Sequence, residues 1–354
     1  MAERVLMKGN EALAEAAIGA GCRHFFGYPI TPQTELAAYM AKRLPKIGGT
    51  YLQAESEIAA INMVQGAAAA GVRAMTSSSS PGISLKTEGI SYMCGADLPA
   101  LIINVQRGGP GLGGIQPSQA DYWQATKAPG HGDLHILVFT PSSVQEMVDL
   151  VGKAFDLADK YRLPAMILAD GLLGQMMEPV VIGGNAVKDL PQKAWATNGH
   201  QNVRKHNIAN SLHLQAADLE RLIRERFERY KTIQAEEVLC EHYLTEGAEY
   251  IVAAYGATAR IAQAAVKQAR AQGVRVGLIR PITVWPFPNK DFQTAAKTTK
   301  EFLCVEMSMG QMIDDIKLAI DCTKPVHFFG RTGGIVPTPA EVFAEIIKMT
   351  GGAE

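Results

Sequence analysis

The sequence predicts an α/β protein built from two doubly wound parallel-sheet domains. Three observations carry this expectation. The strand candidates are short apolar runs without polar alternation, the pattern of strands covered on both faces. Helix-like stretches separate them with short links, the order that gives parallel strands joined by crossover helices. Gly and Ala are abundant and aromatics make up only 7%, so helices can pack closely on a sheet. The 354 residues suggest two domains, or three, at about 150 residues each.

The first domain is expected over residues 1–178. Its strand candidates are His24–Tyr28, Thr50–Gln53, Arg73–Thr76, Leu101–Val105, His135–Phe139 and Ala165–Leu168. The clearest helix is Val144–Tyr161, where Val144, Met147, Val148, Val151, Ala154, Phe155 and Ala158 recur at spacings of three and four. Ser143 and Glu146 read as a capping box before it. Residues 179–247 change texture and read as a linker over the surface. It contains a charged helix, Leu214–Tyr230, with Leu219, Leu222, Ile223 and Phe227 on one face. A second α/β unit follows over 248–354. It has strands at Glu249–Tyr255, Val274–Ile279, Phe302–Glu306 and Val326–Phe329, and helices at Thr258–Gln272 and Gln311–Ile320. The last helix opens with Thr338 as N-cap, Pro339 at its first position and Glu341 as the capping acid. Gly351 and Gly352 end it.

Composition excludes several classes. The chain is 47% apolar, too much for a disordered protein. Its 34 basic and 35 acidic residues leave a net charge of −1, without the basic excess of a nucleic-acid binder. No apolar run is long enough to predict a membrane span. The start, Met1-Ala2-Glu3-Arg4, lacks a secretory pattern. Five cysteines lie far apart and show no C-x-x-C spacing, so neither a cluster nor a structural zinc site is indicated. That sparse, odd set suits a reducing cytoplasm. The histidines form no H-x-x-H, H-x-x-x-H or Cys/His cluster, and no metal ligand is assigned.

Candidate site residues gather at the ends of the first strands. Thr31 before Pro32 reads as the N-cap of a helix running through Met40. It also reads as a hydroxyl at the C-terminal edge of the sheet, where ligands of parallel sheets bind. Glu55 and Glu57 open a very apolar helix, Ser56–Gly71. Acids in a first turn suit the helix dipole, but a carboxylate on a buried helix needs a partner. Arg107 ends a strand before a glycine loop and can hold a carboxylate bidentately, or be a surface cation. Ser77–Ser80 before Pro81-Gly82 is an anion cradle or a helix-starting turn. Gly109-Pro110-Gly111-Leu112-Gly113-Gly114 matches G-x-G-x-x-G, yet Ile115-Gln116-Pro117-Ser118 does not start an amphipathic helix. A loop that shapes a pocket or contacts another subunit suits it better than a dinucleotide site.

These segments together resemble the α subunit of 2-oxoacid:ferredoxin oxidoreductases, in particular the 2-ketoisovalerate (3-methyl-2-oxobutanoate) type. The carrying motifs are Gly9-Asn10-Glu11-Ala12, Gly27-Tyr28-Pro29-Ile30-Thr31-Pro32, Glu55-Ser56-Glu57 leading to Gly66, and Thr76-Ser77 through Pro81-Gly82. Further ones are Asn104-Val105-Gln106-Arg107-Gly108-Gly109-Pro110 and Pro141-Ser142-Ser143-Val144-Gln145-Glu146. In the second half, Tyr255-Gly256 and Arg280-Pro281-Ile282-Thr283-Val284-Trp285-Pro286-Phe287-Pro288 resemble the family's transketolase C-terminal-like domain. The likeness spans nearly the whole chain and is loose only over roughly 180–247.

The resemblance implies an EC 1.2.7-type enzyme of anaerobic metabolism that decarboxylates a 2-oxoacid to acyl-CoA and CO2 and passes electrons to ferredoxin. Residues 1–178 would be the pyrimidine-binding domain for thiamine diphosphate. A β subunit would share that cofactor and supply its Mg²⁺. Partner β and ferredoxin-like γ subunits would carry the 4Fe–4S clusters, and coenzyme A would be the co-substrate. The sequence agrees by omission, having neither an acidic G-D-G plus asparagine run nor a cysteine ligand set. Glu57 would hydrogen-bond the pyrimidine N1′ and make the 4′-amino group basic, an effect that burial strengthens. The family spacing to Gly66 favours Glu57 over Glu55. Thr31 would touch the substrate, Arg107 would neutralise its carboxylate, and Pro29 and Gly82 would lie beside the cofactor. No second cation reads as dedicated to a dicarboxylate, which favours an apolar side chain; a branched-chain 2-oxoacid is expected, with 2-oxoglutarate or an aryl 2-oxoacid as the alternatives. A non-catalytic structural subunit is the alternative of another class.

Overall fold

A computed structural model describes residues 4–183 and 190–351. The expectations for residues 1–3, for 184–189 of the linker and for Gly352 lie outside them. The chain opens with β1 (Arg4–Lys8) and helix α1 (Gly9–Gly19). The next strands are β2 (His24–Gly27), β3 (Thr50–Gln53), β4 (Ala74–Ser78), β5 (Leu101–Gln106), β6 (Leu137–Phe139) and β7 (Ala165–Asp170). Around them lie α2 (Thr34–Arg43), α3 (Glu57–Ala69), α4 (Ser80–Ser84), α5 (Thr87–Gly95), α6 (Tyr122–Thr126) and α7 (Val144–Tyr161). After α8 (Gly171–Gln175), strand β8 (Met177–Val181) returns antiparallel to β1.

Helix α9 (Ala216–Glu236) and β9 (Cys240–Tyr243) lead into the second unit. It continues with β10 (Tyr250–Ala253), α10 (Gly256–Ala271), β11 (Val276–Pro281), β12 (Thr283–Trp285) and α11 (Asn289–Ala296). It ends with β13 (Glu301–Glu306), α12 (Met312–Ala319), β14 (Val326–Gly330) and α13 (Pro339–Met349).

Among the described residues the larger sheet has the strand order β12-β6-β7-β5-β4-β2-β3, parallel except for β12. The second has the order β14-β13-β10-β11-β9, parallel except for β9. The α/β class and the parallel sheets read from the sequence are therefore correct. Every residue of β4, β5 and β7 is buried, which is why these strands show no polar alternation. Helix α7 buries Met147, Val148, Val151, Ala154, Phe155 and Ala158, each large side chain contributing about 1.5–3 kcal/mol.

Several local expectations fail for identifiable reasons. Ser143 caps α7 by accepting from Glu146 N at 3.1 Å, but the Glu146 carboxylate does not complete the box. It accepts from Ser142 N at 2.7 Å and pairs with Arg280 instead. Helix α9 buries Arg226, Tyr230 and Ile233, while Leu219 and Phe227 on the expected face are exposed. Strand β9 lies in the stretch read as linker, and β12, from the second unit, joins the first sheet beside β6. At the other end, Thr338 and Glu341 do form a capping box on α13, with Pro339 at its first position.

The two sheets are stitched together at Gln119, which is fully buried. Its amide donates to Tyr255 O at 2.8 Å and accepts from Thr258 Oγ1 at 2.6 Å and Met307 N at 2.9 Å. Tyr122 OH adds a bond of 2.6 Å to Asp315.

Candidate active site

Glu57 is the first residue of α3, just past the end of β3. Ser56 caps this helix by accepting from Ala59 N at 3.2 Å. That turn buries Glu57 while Glu55 stays exposed outside the helix. The pair of acids thus has one inward member. Gly82 lies against it, since a β-carbon there would fall 2.7 Å from Glu57 Oε1 and 2.1 Å from Ser78 Oγ.

The loop after β2 carries Pro29 and Thr31, both exposed. Thr31 is not a helix cap. Helix α2 starts at Thr34, with Gln33 in the flanking position. The carbonyls that a helix would use are already taken. Thr31 O accepts from Arg107 Nη1 at 2.9 Å, and Pro32 O accepts from Asn10 Nδ2 at 2.7 Å. The Thr31–Pro32 bond is cis. Gln33 is buried and fixes the loop from below, donating to Tyr28 O at 3.2 Å and accepting from Ser77 Oγ at 2.6 Å. Gln33 is a site-building residue that the sequence did not single out, and Asn10 stood there only within a motif, without a role. A buried amide flanking a loop of prolines was the available signal.

Arg107 is 7% exposed at the end of β5. Two of its N–H groups hold Thr31 O and Leu112 O, at 2.9 and 3.1 Å. A guanidinium has five donors, so capacity remains, and Nε is buried without a partner among the described residues. The backbone N of Arg107 donates to Ser80 Oγ at 3.1 Å, and Ser80 Oγ donates to Asp121 at 2.6 Å. Asn104 also donates to Asp121, at 2.9 Å. Burial pushes the Asp121 carboxyl up, against the pull of Ser80, Asn104 and Arg107.

The serine run links these parts. Ser77 reaches the Thr31 loop, Ser78 adjoins Gly82 and Glu57, and Ser80 reaches Arg107. The Ser78 and Ser79 hydroxyls are buried and have no partner among the described residues. Pro29, Thr31, Glu57, Gly82 and Arg107 therefore share the C-terminal edge of the parallel sheet, where crossovers leave a crevice for a ligand.

The glycine segment does not suit a dinucleotide. It closes on itself through Gly108 N to Gln116 O at 3.0 Å and Gly114 N to Gly108 O at 2.9 Å. No helix begins where it ends, and the next one, α6, starts at Tyr122. One group of side chains was not visible as a linear motif. Cys240, His242 and Asp291 bring ligand atoms within 4.8 Å of one another. Cys240 and His242 are two apart on β9, so they share a strand face, a spacing that helical searches pass over. His242 Nε2 and Asp291 Oδ1 satisfy each other at 2.7 Å.

Comparisons with known proteins give the family. The family model described as pyruvate flavodoxin/ferredoxin oxidoreductase, thiamine diphosphate-binding, matches residues 15–246. That of pyruvate:ferredoxin oxidoreductase core domain II matches residues 248–342. The chain is 47% identical over 346 residues to ketoisovalerate oxidoreductase subunit VorB of Methanothermobacter marburgensis, covering 98% of both chains. It is 36% identical over 387 residues to 2-oxoglutarate synthase subunit KorA of Methanothermobacter thermautotrophicus, covering 99% of this chain and 100% of the other. Among solved structures it resembles the 2-oxoglutarate:ferredoxin oxidoreductase of Magnetococcus marinus with 2-oxoglutarate, coenzyme A and succinyl-CoA bound. That match has a TM-score of 0.87 and 27% identity, and covers 98% of this chain and 65% of that one. A split-gene transketolase, with a TM-score of 0.61 and 14% identity over 98% of each chain, shares the fold alone. The chain belongs to the 2-oxoacid:ferredoxin oxidoreductase family and is a subunit carrying that family's thiamine-diphosphate-binding domain.

Proposed function

We propose that this chain is the α subunit that holds the pyrimidine half of thiamine diphosphate in a cytoplasmic hetero-oligomer. The complex oxidatively decarboxylates a branched-chain 2-oxoacid to acyl-CoA and CO2, and passes electrons to ferredoxin through partner subunits. The observation that carries this reading is Glu57, a buried carboxylate seated against Gly82 at the sheet's C-terminal edge.

The residues present fit the cofactor's ring. Gly82 lets Glu57 and Ser78 close in where a β-carbon would intrude, and the unpartnered Ser78 and Ser79 hydroxyls remain to be satisfied. Glu57 would hold the pyrimidine N1′, and Pro29 would lie along the ring. When bound, thiamine diphosphate supplies the nucleophilic carbon and the electron sink of the decarboxylation. Arg107 would take the substrate carboxylate with its remaining donors while its engaged ones keep Thr31 in place. The Mg²⁺–diphosphate site and the 4Fe–4S clusters are assigned to the β and γ subunits, because this sequence has neither ligand set.

The branched-chain assignment draws on the 47% identity to a ketoisovalerate subunit against 36% to a 2-oxoglutarate one. Chemistry points the same way. Of the cations placed at this edge, Arg107 reaches the Thr31 loop and Lys86 is sealed from solvent, which leaves neither free for a second carboxylate. The test is co-expression with the β and γ subunits, followed by CoA-dependent reduction of a viologen dye. The panel is 2-ketoisovalerate, 2-oxoglutarate, pyruvate and an aryl 2-oxoacid. Preference for 2-oxoglutarate overturns the substrate assignment, and no turnover with any of them overturns the function.

A further inference from the structure

Lys86 is 0% exposed, although lysine is almost never fully buried without a partner. It sits at the junction of α4 and α5. Its Nζ reaches under the first turn of α3 and donates to the backbone O of Glu57 at 3.4 Å. So long a contact to a neutral carbonyl returns little of the cost of taking an ammonium out of water. The N-terminal turn of a helix also carries the positive end of its dipole, which repels a cation. Among the described residues, Lys86 forms no ion pair within 4.0 Å. Burial pushes its ammonium down to about 8, and the charge that pulls the other way is the Glu57 carboxylate.

We propose that Lys86 is the buried counter-charge of Glu57 and a positioning residue for the cofactor ring. The proposal rests on the role given to Glu57 above. With Lys86 charged, the pocket holds a balanced pair, and Glu57 faces the site purely as an acceptor. With an apolar residue at this position, one carboxylate is left buried without its cation. An uncompensated buried charge is strongly unfavourable, so the side chain is driven from its seat toward water. The ring nitrogen would lose the acceptor it needs.

The first test needs no cofactor. Thermal unfolding of the full-length chain is compared for wild type, E57Q, K86M and the double variant. E57Q strands Lys86 as an unpaired buried cation, so it should lower Tm by at least about 3 °C more in the wild-type background than in K86M. Equal shifts in the two backgrounds overturn the pairing. The second test uses the reconstituted complex and titrates thiamine diphosphate by fluorescence quenching. K86M should raise its Kd roughly tenfold while KM for the 2-oxoacid stays within about twofold, and K86R should recover most of the affinity. K86Q keeps a donor for the Glu57 carbonyl without the charge, so it separates charge from packing and should behave as K86M does. An unchanged Kd in K86M, or wild-type behaviour in K86Q, overturns the proposal. If E57Q itself leaves Kd and turnover intact, the role of Glu57 falls first. If E57Q is impaired and K86M is not, only the counter-charge falls.

Discussion

Gly82 and Glu57 compete for one space: a β-carbon on Gly82 would lie 2.7 Å from Glu57 Oε1. Gly82 lies within α4, where alanine would ordinarily be favoured by about 1 kcal/mol. Gly82→Ala is therefore expected to reverse that preference and to push Glu57 out of place. A misplacement near 1 Å can cost roughly 100-fold in rate, so turnover of the reconstituted complex should fall by about that factor. Full activity in the variant would mean that Glu57 has room to retreat.

Arg107 ties Thr31 to the glycine loop while keeping donors free. A hydrogen bond to a charged group contributes about 1.5–3 kcal/mol. Arg107→Ala should therefore raise KM for the 2-oxoacid roughly 10- to 150-fold. Arg107→Lys should recover only part of this, because an ammonium cannot hold two carbonyls and a carboxylate in one plane. Steady-state kinetics decides it, and an unchanged KM would remove Arg107 from substrate binding.

How far the site could be read from sequence depended on whether a residue's role is local. Glu57 was legible because an acid before a very apolar helix has few places to go, and its spacing to Gly66 matched a known pattern. Lys86 was not, because Leu85-Lys86-Thr87-Glu88 looks like an ordinary exposed stretch. Its burial comes from α3 packing over it, a contact across 29 positions. Thr31 was misread as a cap because the partners that claim the loop carbonyls, Arg107 and Asn10, are 76 and 22 residues away. Strand β12 was missed because three residues carry no period, and only pairing with β6 defines them.

Asp170 gives the fold a pH dependence of known sign. Its Oδ1 accepts from Leu172 N at 2.9 Å and Leu173 N at 3.1 Å. Burial pushes its carboxyl up from 3.8 to about 6, while the N–H groups of Leu173, Leu172 and Ala257 hold it back. The folded chain thus keeps this proton longer than the unfolded chain. The stability it contributes is complete below 3.8 and is lost as the pH rises to about 6. Asp170→Asn cannot titrate, so its Tm should fall less steeply than that of wild type over this window. Parallel Tm curves between about pH 4 and 7 would show that Asp170 does not titrate there.

Gln119 is the residue whose loss should be felt most between the two sheets. Its buried amide satisfies Tyr255 O, Thr258 Oγ1 and Met307 N at once. Gln119→Leu has nearly the same volume and leaves Thr258 Oγ1 and Met307 N unmet, at about 1–3 kcal/mol each, while Tyr255 O keeps its bond from Ala259 N at 3.3 Å. With roughly 2–4 °C lost per kcal/mol in a chain of this size, Tm should drop by on the order of 10 °C. Thr258→Val removes one of the three bonds and leaves Met307 N on the Gln119 oxygen, so its drop should be a third of that or less. The contrast separates a lost network from lost packing. If the two variants melt within about 2 °C of each other, the amide does not hold the domains together, and the apolar contacts around Tyr122 and Tyr255, whose rings lie 5.6 Å apart, carry the interface instead.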